Sequence, residues 1–423
     1  MRSLLERDRD RVWHPYTQSG FGIDPLAVVR GDGSSLVLED GRRILDGISS
    51  WWCCLHGHGN KRLARAAAEQ FETLDHVLFA GVTHEPAVAL AERLCGAYPH
   101  SFSRVFFSDN GSTAVEVAIK LAVQFWRNRG ERRSRVVALH GAYHGDTFGA
   151  MAVGARSVFT NAFEDLLFSV EYLSPEGGDA EVSRCEDLAR QGDVACFIFE
   201  PSVQGAGGMK FIDPAVLDRY CAIFQRSGAL CIADEIMTGF GRTGPLFATS
   251  EMVVAPDLVC LSKGLTSGTL PLAVTMCREA VFREFVSDDH SRTFFHGHTF
   301  TANPIACAVA LASLDISESG ACANQRTRIN RAHCEFAERM RGRSGIEEVR
   351  VRGTILAFDV VTREAGGYVS PVAQQARQFF IDRGVLLRPL GNVVYCMPPY
   401  CVTEEELVVV YAALEDFVNR IGL

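Results

Sequence analysis

The stretch "LVCLSKGL", residues 258–265, is typical of a buried β-strand that ends at a lysine. Apolar and small residues flank Lys263 on both sides. A lysine is rarely buried without a partner, because an isolated ammonium ion is costly to remove from water. Such a lysine tends to lose its charge, and the neutral amine is a nucleophile that can form an imine. The stretch therefore indicates a chemical role for Lys263.

Further short apolar strands lie on either side of this stretch and alternate with helical segments such as "KRLARAAAEQFETL" (61–74). They are "RVFFS" (104–108), "RVVALHGA" (135–142), "VACFIFEP" (194–201), "ALCIADEI" (229–236) and "LPLAVTMC" (270–277). Nearly continuous apolar strands separated by helices are typical of sheets that are covered on both faces. We therefore predict an α/β fold with a mostly parallel mixed sheet covered by helices.

The two ends of the chain follow a different pattern. A hairpin is predicted around the turn at Asp40-Gly41, and a second hairpin over "GVLLRPLGNVVYCMPP" (384–399). Thr403 and Glu406 have the spacing of a capping box at the start of the last helix. We predict a large α/β domain over residues 60–311, and a small α+β domain built from residues 1–59 and 312–423.

Composition limits the classes of partner. The chain has 423 residues, is 47% hydrophobic and carries a net charge of −9 at pH 7, so nucleic acid is not an expected partner. It contains no apolar run of about 18 residues and no apolar signal at its start, so we expect a cytoplasmic protein without membrane contact. None of the 14 cysteines forms a C-x-x-C pair, and no metal site is expected.

Polar residues follow several of the predicted strands, where ligands bind in open α/β sheets. Gly111 and Ser112 open a helix, so they form either an anion site or an ordinary helix cap. Asp234 can hold a protonated ring nitrogen or simply cap a helix, and Tyr143 can stack on a ring or pack in the core. With Lys263, these residues supply the parts that pyridoxal phosphate needs.

Five motifs resemble those of the class III, fold-type I aminotransferases and follow the same order. They are "FFSDNGSTAVEVAIKLA" (106–122), "GAYHGDT" (141–147), "ADEIMTGFGRTG" (233–244), "LSKGLTSGTLPLA" (261–273) and "HGHTFTANPIACAVA" (296–310). The resemblance implies that Lys263 forms an imine with pyridoxal phosphate and that Asp234 pairs with its ring nitrogen. The other implied contacts are Gly111 and Ser112 to the phosphate, Tyr143 and Ile236 to the two ring faces, and Glu200 and Gln204 near the cofactor hydroxyl and substrate.

The resemblance also implies a homodimer, in which Thr299 reaches the phosphate of the neighbouring subunit's cofactor. His298 stands where we expect proline in the branch of the family described next, although the wider family also has histidine there. The departure therefore bears on the substrate fit near the subunit boundary and not on cofactor binding.

The ends of the chain suggest the substrate. "WHPYT" (13–17), "DGISSWWCCLHGHGN" (46–60) and "LLRPLGNVVYCMPPY" (386–400) resemble the branch of the family that aminates 8-amino-7-oxononanoate in biotin biosynthesis. By this resemblance Arg388 binds the substrate carboxylate, and S-adenosylmethionine or lysine donates the amino group. The other implied substrate contacts are Tyr16, Trp51, Trp52, Tyr143 and Gly297.

Three alternatives stay open at this point. One or both tryptophans pack between domains, or the substrate is another ω-amino acid or diamine. The third is a phosphate-binding regulatory protein that has kept the fold, and the combination of Lys263, Asp234 and Tyr143 disfavours it.

Overall fold

The structure, a computed structural model, describes residues 2–18, 20, 24–362 and 371–422, which form two compact units. The large unit comprises Lys61–Arg328 and Arg352–Thr354. The small unit comprises the described residues of Met1–Asn60, Ile329–Val351 and Ile355–Leu423. The small unit thus joins segments from both ends of the chain.

The strands are numbered along the chain. They are β1 Val28–Asp32, β2 Ser35–Leu38, β3 Arg43–Asp46, β4 Arg104–Ser108, β5 Arg135–Leu139, β6 Val170–Leu173, β7 Val194–Phe199, β8 Val203–Gln204, β9 Lys210–Phe211, β10 Leu230–Asp234, β11 Leu258–Leu261, β12 Ala273–Cys277, β13 Ile346–Arg352, β14 Ile355–Val360, β15 Val385–Leu386 and β16 Val393–Cys396.

The helices are numbered in the same way. They are α1 Leu4–Arg11, α2 Ser49–Trp52, α3 Lys61–Thr73, α4 Glu85–Ala97, α5 Gly111–Asn128, α6 Phe148–Val153, α7 Asp179–Arg190, α8 Pro214–Arg226, α9 Glu279–Arg283, α10 Pro304–Ser317, α11 Gly320–Met340, α12 Pro371–Asp382 and α13 Glu404–Ile421. Short 3₁₀ turns cover Asn161–Leu166, Ala248–Glu251, Lys263–Thr266 and His290–Arg292.

A seven-stranded sheet forms the centre of the large unit, in the order β4-β12-β11-β10-β7-β5-β6. Strand β12 runs antiparallel to both of its neighbours, and the other neighbouring strands are parallel. All residues of β7, β10, β11 and β12 are buried, which explains their unbroken apolar sequences. The predicted mixed sheet is confirmed. Strand β6 was not predicted, because its four residues at the sheet edge are mostly half-buried and include a glutamate.

Helix α5 covers the middle of this sheet and starts directly beyond β4. Asn110 caps it, because the Asn110 side chain accepts a hydrogen bond from the backbone N–H of Thr113 and the Thr113 side chain accepts one from the N–H of Asn110. Its apolar face packs into a core cluster with β7, β10 and β11. The Thr275 hydroxyl on β12 donates to the carbonyl of Ala114, at 2.8 Å, and fixes the start of the helix against the sheet.

The chain passes between the units close to one predicted boundary and away from the other. The first passage lies between Asn60 and Lys61, next to the predicted position. The second lies between Arg328 and Ile329, inside α11, rather than at residue 312. The predicted point falls inside α10, which packs along α3 and α4 in the large unit. Because α10 packs within the large unit over its whole length, the chain leaves that unit only further on, within α11.

Two sheets build the small unit, with the strand orders β1-β2-β3-β15 and β13-β14-β16. The hairpin of β2 and β3 and the capping box at Thr403 are confirmed. Of the hairpin predicted over residues 384–399, the tight turn is present, with an antiparallel bridge between Leu390 and Val393. Its two strands do not pair with each other, because β15 pairs in parallel with β3 whereas β16 pairs with β14. Between them, Pro389 has no N–H to donate to a strand ladder. Arg388 therefore lies in a connection between two sheets.

Among the described residues no single helix is both long and apolar enough to cross a membrane, although the bent pair α10 and α11 passes that test together on length and composition.

Candidate active site

Asp234 is the last residue of β10 and is buried. Two hydrogen bonds hold its carboxylate: the backbone N–H of Ile236 donates to Oδ1 at 3.1 Å, and Nδ1 of His144 lies 2.7 Å from Oδ2. Because an ionised carboxylate only accepts, the His144 nitrogen is the donor. The carboxylate is thus fixed at the carboxyl end of the sheet, where the sequence predicted a ligand site.

Lys263 lies at the same carboxyl end of the sheet. Strands β10 and β11 run parallel with Asp234 opposite Cys260, and Lys263 follows three residues after Cys260. Its φ of +45° is unusual for a residue with a side chain and indicates local backbone strain, which clusters at functional sites. The other lysines of the chain, Lys61, Lys120 and Lys210, are exposed, whereas Lys263 is half-buried.

At the start of α5, two glycines lie so close to neighbouring side chains that no larger residue would fit. A Cβ added to Gly145, whose φ is +129°, would lie 2.0 Å from Oγ of Ser112, and one added to Gly111 would lie 2.9 Å from Cγ2 of Ile236. The first N–H groups of a helix have no partner within it and carry a positive partial charge. Gly111 and Ser112 can therefore bind an anion directly with backbone groups.

Glu200, just beyond β7, holds Tyr143 by its backbone. The N–H of Tyr143 donates to one Glu200 carboxyl oxygen at 3.2 Å, and the N–H of Gly205 donates to the other at 3.0 Å. Gln204 is fully buried and donates from Nε2 to the carbonyl of His140 at 2.9 Å. Its Oε1 is buried and has no hydrogen-bond partner among the described residues. A buried acceptor of this kind fits a ligand hydroxyl.

These residues fit the cofactor expected from the sequence. The start of α5 suits its phosphate, the fixed carboxylate of Asp234 suits a protonated ring nitrogen, and the buried oxygen of Gln204 suits its hydroxyl. Ile236 links the anion site at the start of α5 to Asp234. Its side chain packs so closely on Gly111 that a Cβ added there would clash with it, and its backbone N–H donates to Asp234. In the part of the chain that is described, no cluster of three metal-ligating side chains is present.

Two buried groups beside Asp234 have shifted pKa values. Burial raises the pKa of Glu200 to about 7, with the charge of Asp234 adding to the rise and His144 and two backbone N–H groups opposing it. Burial lowers the pKa of His144, but the hydrogen bond to Asp234 and the negative charges of Asp234 and Glu200 outweigh it, and the pKa ends above its usual value. His144 lies in the motif "GAYHGDT", and no sequence pattern predicted a role for it.

A second group, the aromatic–arginine cluster of Tyr16, Trp51 and Arg388, forms within the small unit. The rings of Tyr16 and Trp51 lie 5.5 Å apart, and the Arg388 guanidinium carbon lies 5.2 Å from the centre of the Trp51 ring. Arg388 also donates to the backbone carbonyl of Tyr16 at 3.3 Å. This arrangement presents a cation on an aromatic wall.

The two neighbouring tryptophans have different environments. Trp51 is 46% exposed, whereas Trp52 is 7% exposed and donates from Nε1 to the hydroxyl of Tyr395 at 2.9 Å. The turn that contains both tryptophans is strained, since Ser49, Ser50 and Trp52 all have positive φ. Trp52 thus has a packing role within the small unit, and the predicted wall for a substrate is left to Trp51.

Gly297 and Thr299 lie exposed on the surface of the large unit, beside the exposed rings of Phe295 and Phe300. Nδ1 of His298 accepts a hydrogen bond from the N–H of Phe300 at 3.2 Å, so the histidine stabilises this turn. The chain by itself does not bury the residues predicted to reach a second subunit's cofactor.

Comparison with known proteins identifies the family. The model of the family "Aminotransferase class-III" matches residues 18–418. The chain belongs to the class III aminotransferases. The adenosylmethionine-8-amino-7-oxononanoate aminotransferase of Synechococcus elongatus is 49% identical to it, over 97% of this chain and 99% of that protein.

Solved structures agree with this assignment. The enzyme of the same name from Methanocaldococcus jannaschii has a TM-score of 0.93 and 30% identity, covering 99% of both chains. An amine transaminase from an uncultivated Pseudomonas species, solved in a PLP-bound form, has a TM-score of 0.89 and 32% identity, covering 97% of this chain and 99% of that one. The class III aminotransferase fold therefore extends over nearly the whole chain.

The shifted pKa of Glu200 predicts a pH-dependent stability. A carboxyl group with a folded-state pKa of about 7, raised from 4.5, binds a proton more tightly in the folded state, so its contribution to stability is lost as pH rises through about 7. Glu200→Gln removes this dependence. The melting temperature of the variant relative to wild type is expected to rise between pH 5 and pH 8, by the equivalent of about 2–3 kcal/mol.

Glu164→Gln is the control, because Glu164 is exposed. Its melting temperature should follow wild type across the same pH range. If the Glu200→Gln and wild-type curves stay parallel from pH 5 to pH 8, Glu200 does not titrate in this window.

Proposed function

We propose that this class III aminotransferase uses pyridoxal phosphate to convert 8-amino-7-oxononanoate into 7,8-diaminononanoate, with S-adenosylmethionine as amino donor. The observation that supports this type of reaction is the parallel pairing of β10 with β11, because it puts a fixed carboxylate and a half-buried lysine at the same carboxyl end of the sheet. The choice of substrate is based on the relatives named above, whose similarity extends over nearly the whole length of this chain.

When bound, pyridoxal phosphate supplies an aldehyde for exchange of amines and a ring that takes up the electron pair of a breaking C–H bond. The Asp234 carboxylate stabilises a proton on the ring nitrogen. Gly111 and Ser112 would hold the phosphate with backbone N–H groups and a hydroxyl, and Tyr143 and Ile236 would cover the two ring faces. Nζ of Lys263 would take the proton from the donor carbon and deliver it to the carbon of the former aldehyde, not back to the donor.

The aromatic–arginine cluster suits the acceptor. The oxononanoate has a carboxylate at the end of a methylene chain, and a guanidinium held on an aromatic wall offers both a bidentate contact and an apolar surface. Arg388 is the group for the carboxylate, and Trp51 and Tyr16 are the surface for the chain. The same residues disfavour short diamines, which carry no carboxylate for Arg388 to bind.

A homodimer completes this proposal. Gly297 and Thr299 are exposed in the single chain, next to two large apolar rings that are exposed as well. An exposed apolar group of this kind is typical of a contact with another protein surface. In the dimer Thr299 would contact the phosphate of the neighbouring cofactor, and Gly297 the neighbouring substrate.

A donor assay tests the function. Purified enzyme is incubated with 8-amino-7-oxononanoate and either S-adenosylmethionine, lysine or a simple diamine, and 7,8-diaminononanoate is measured by mass spectrometry. Product with S-adenosylmethionine is expected. Product formed with lysine but not with S-adenosylmethionine would show that lysine is the donor. Transfer of the amino group from the diamine to an added 2-oxo acid, with the oxononanoate left unconverted, would contradict the function.

Arg388→Ala tests the carboxylate contact. Loss of a charge-assisted contact of about 1.5–3 kcal/mol weakens acceptor binding by roughly 10- to 100-fold. The half-reaction with the donor is expected to keep its rate, measured in single turnovers by absorbance.

Arg383→Ala is the matched control, because Arg383 lies in the same unit, stacks on Phe379 and pairs with Asp416. It should keep the wild-type affinity for the oxononanoate. An equal loss in both half-reactions of Arg388→Ala would show that Arg388 does not recognise the acceptor specifically.

A further inference from the structure

Asp46, the last residue of β3, is a buried carboxylate that the proposed reaction does not use. The backbone N–H of Ile48 donates to its Oδ1 at 3.2 Å, and the hydroxyl of Ser50 donates to its Oδ2 at 3.0 Å. Nε2 of His58 lies 2.8 Å from the same Oδ2 and is the donor, because an ionised carboxylate only accepts. Two of the three donors belong to the turn that follows β3, so the carboxylate holds this turn from within the fold.

The backbone of this turn is strained. Ser50 has a φ of +58° and a ψ of −94°, a combination that a residue with a side chain rarely adopts, and Ser49 and Trp52 also have positive φ. Such a backbone persists only where the surrounding contacts hold it in place. The hydrogen bond from Ser50 to Asp46 is one such contact, and the hydroxyl of Ser49 makes another by donating to the carbonyl of Met397 at 2.9 Å.

The turn carries the ring of Trp51, which directly follows Ser50. This ring is exposed, lies 5.5 Å from the ring of Tyr16 and lies 5.2 Å from the guanidinium carbon of Arg388. Because the ψ angle of Ser50 sets the direction in which the chain enters Trp51, a change at Ser50 would move the ring away from Arg388. The hydrogen bond to Asp46 therefore fixes the aromatic part of the aromatic–arginine cluster.

The arginine of the cluster starts from the same point in the small unit. Strands β3 and β15 run parallel with Asp46 opposite Leu386, and Arg388 follows two residues after Leu386. The next residue of the turn, Gly47, packs so closely on this connection that an added Cβ would lie 2.6 Å from Cδ2 of Leu387. Trp51 and Arg388 are thus carried by the ends of two paired strands, and Asp46 is the buried polar side chain at that point.

We propose that Asp46 is a positioning residue for the acceptor. Its carboxylate holds the strained turn through Ser50, and the turn keeps the ring of Trp51 beside Arg388. These two side chains then bind the methylene chain and the carboxylate of the oxononanoate together. The inference rests on the function proposed above and concerns acceptor binding, because the described contacts of Asp46 lead to the aromatic–arginine cluster.

Two variants weaken the hold on the turn. Ser50→Ala removes one hydrogen bond to Asp46, and Asp46→Asn replaces one accepting oxygen by a donating amide, so that at least one donor loses its partner. Each is expected to raise the KM for 8-amino-7-oxononanoate roughly tenfold, the size of one hydrogen bond to a charged group. The half-reaction with saturating amino donor, measured in single turnovers by absorbance, should keep its rate.

Asp40→Asn is the matched control. Asp40 lies in the hairpin that leads into the same turn and accepts hydrogen bonds from Arg42, but it is exposed. Its variant should have the wild-type KM for the oxononanoate and the wild-type rate with the donor.

A double-mutant cycle separates positioning from a general effect on stability. If Asp46 acts through Trp51, Ser50→Ala no longer changes the KM for the oxononanoate in a Trp51→Ala background, because the ring to be positioned is gone. If the turn only stabilises the fold, the two substitutions act independently. Additive effects of Ser50→Ala and Trp51→Ala on the KM would overturn the positioning role.

Fluorine NMR reports on the ring without any need for turnover. Enzyme labelled with 5-fluorotryptophan contains four labelled side chains, and the Trp51 signal is the one that Trp51→Ala lacks. This signal should shift in Ser50→Ala, whereas the signal of Trp126 in the large unit should stay in place. The measurement requires only Ser50→Ala to fold, so it also covers the case in which Asp46→Asn does not.

The outcomes distinguish this inference from the function on which it rests. A wild type that converts the oxononanoate, together with a Ser50→Ala variant of unchanged KM or unchanged Trp51 signal, overturns the positioning role alone. An equal loss in both half-reactions overturns it too. A wild type that converts no oxononanoate with any of the donors overturns the proposed function together with this inference.

Discussion

The parallel pairing of β10 with β11 is the constraint on which the rest of the site depends. In-register pairing sets Asp234 opposite Cys260, and the chain then turns through the strained backbone of Lys263. A slip by one residue would move every side chain of β11 to the opposite face of the sheet. The complete burial of both strands makes that slip costly, since their apolar side chains fill the core on either side.

Buried charge is the second physical theme of the large unit. Three ionisable side chains are buried at the carboxyl end of the sheet, those of Asp234, Glu200 and His144. Unpaired charges there would destabilise the fold. Backbone N–H groups from Ile236, Tyr143 and Gly205 satisfy the two carboxylates, and the imidazole adds a further donor. The sheet therefore presents acidic groups whose orientation is fixed before any ligand binds, which is the arrangement that favours catalysis by preorganised charge.

Much of the large unit could be predicted from the sequence, because strands that are buried on both faces have unbroken apolar sequences. The polar residues that end those runs, Asp234 and Lys263, were recognisable for the same reason. The edge strand β6 was missed because an edge needs no such run. The pairing of the two strands predicted as a hairpin over residues 384–399 was wrong, since the local pattern does not reveal that β15 and β16 pair with strands of different sheets.

Other features depend on contacts that no sequence pattern records. The different environments of Trp51 and Trp52 follow from a turn in which three residues have positive φ. None of the three is glycine, so the sequence gives no sign of this turn. The contact of His144 with Asp234 joins residues 90 positions apart, and a histidine beside a tyrosine is not by itself distinctive. Such contacts follow from how the strand ends meet in three dimensions.

The most direct test of the central claim is to locate the cofactor on the chain. Borohydride reduction of the loaded enzyme, followed by proteolysis and mass spectrometry, marks the lysine that binds pyridoxal phosphate among Lys61, Lys120, Lys210 and Lys263. We expect a phosphopyridoxyl group on the peptide that contains Lys263 and on no other. A label on one of the three exposed lysines, or no label from an enzyme that carries cofactor absorbance, would contradict it.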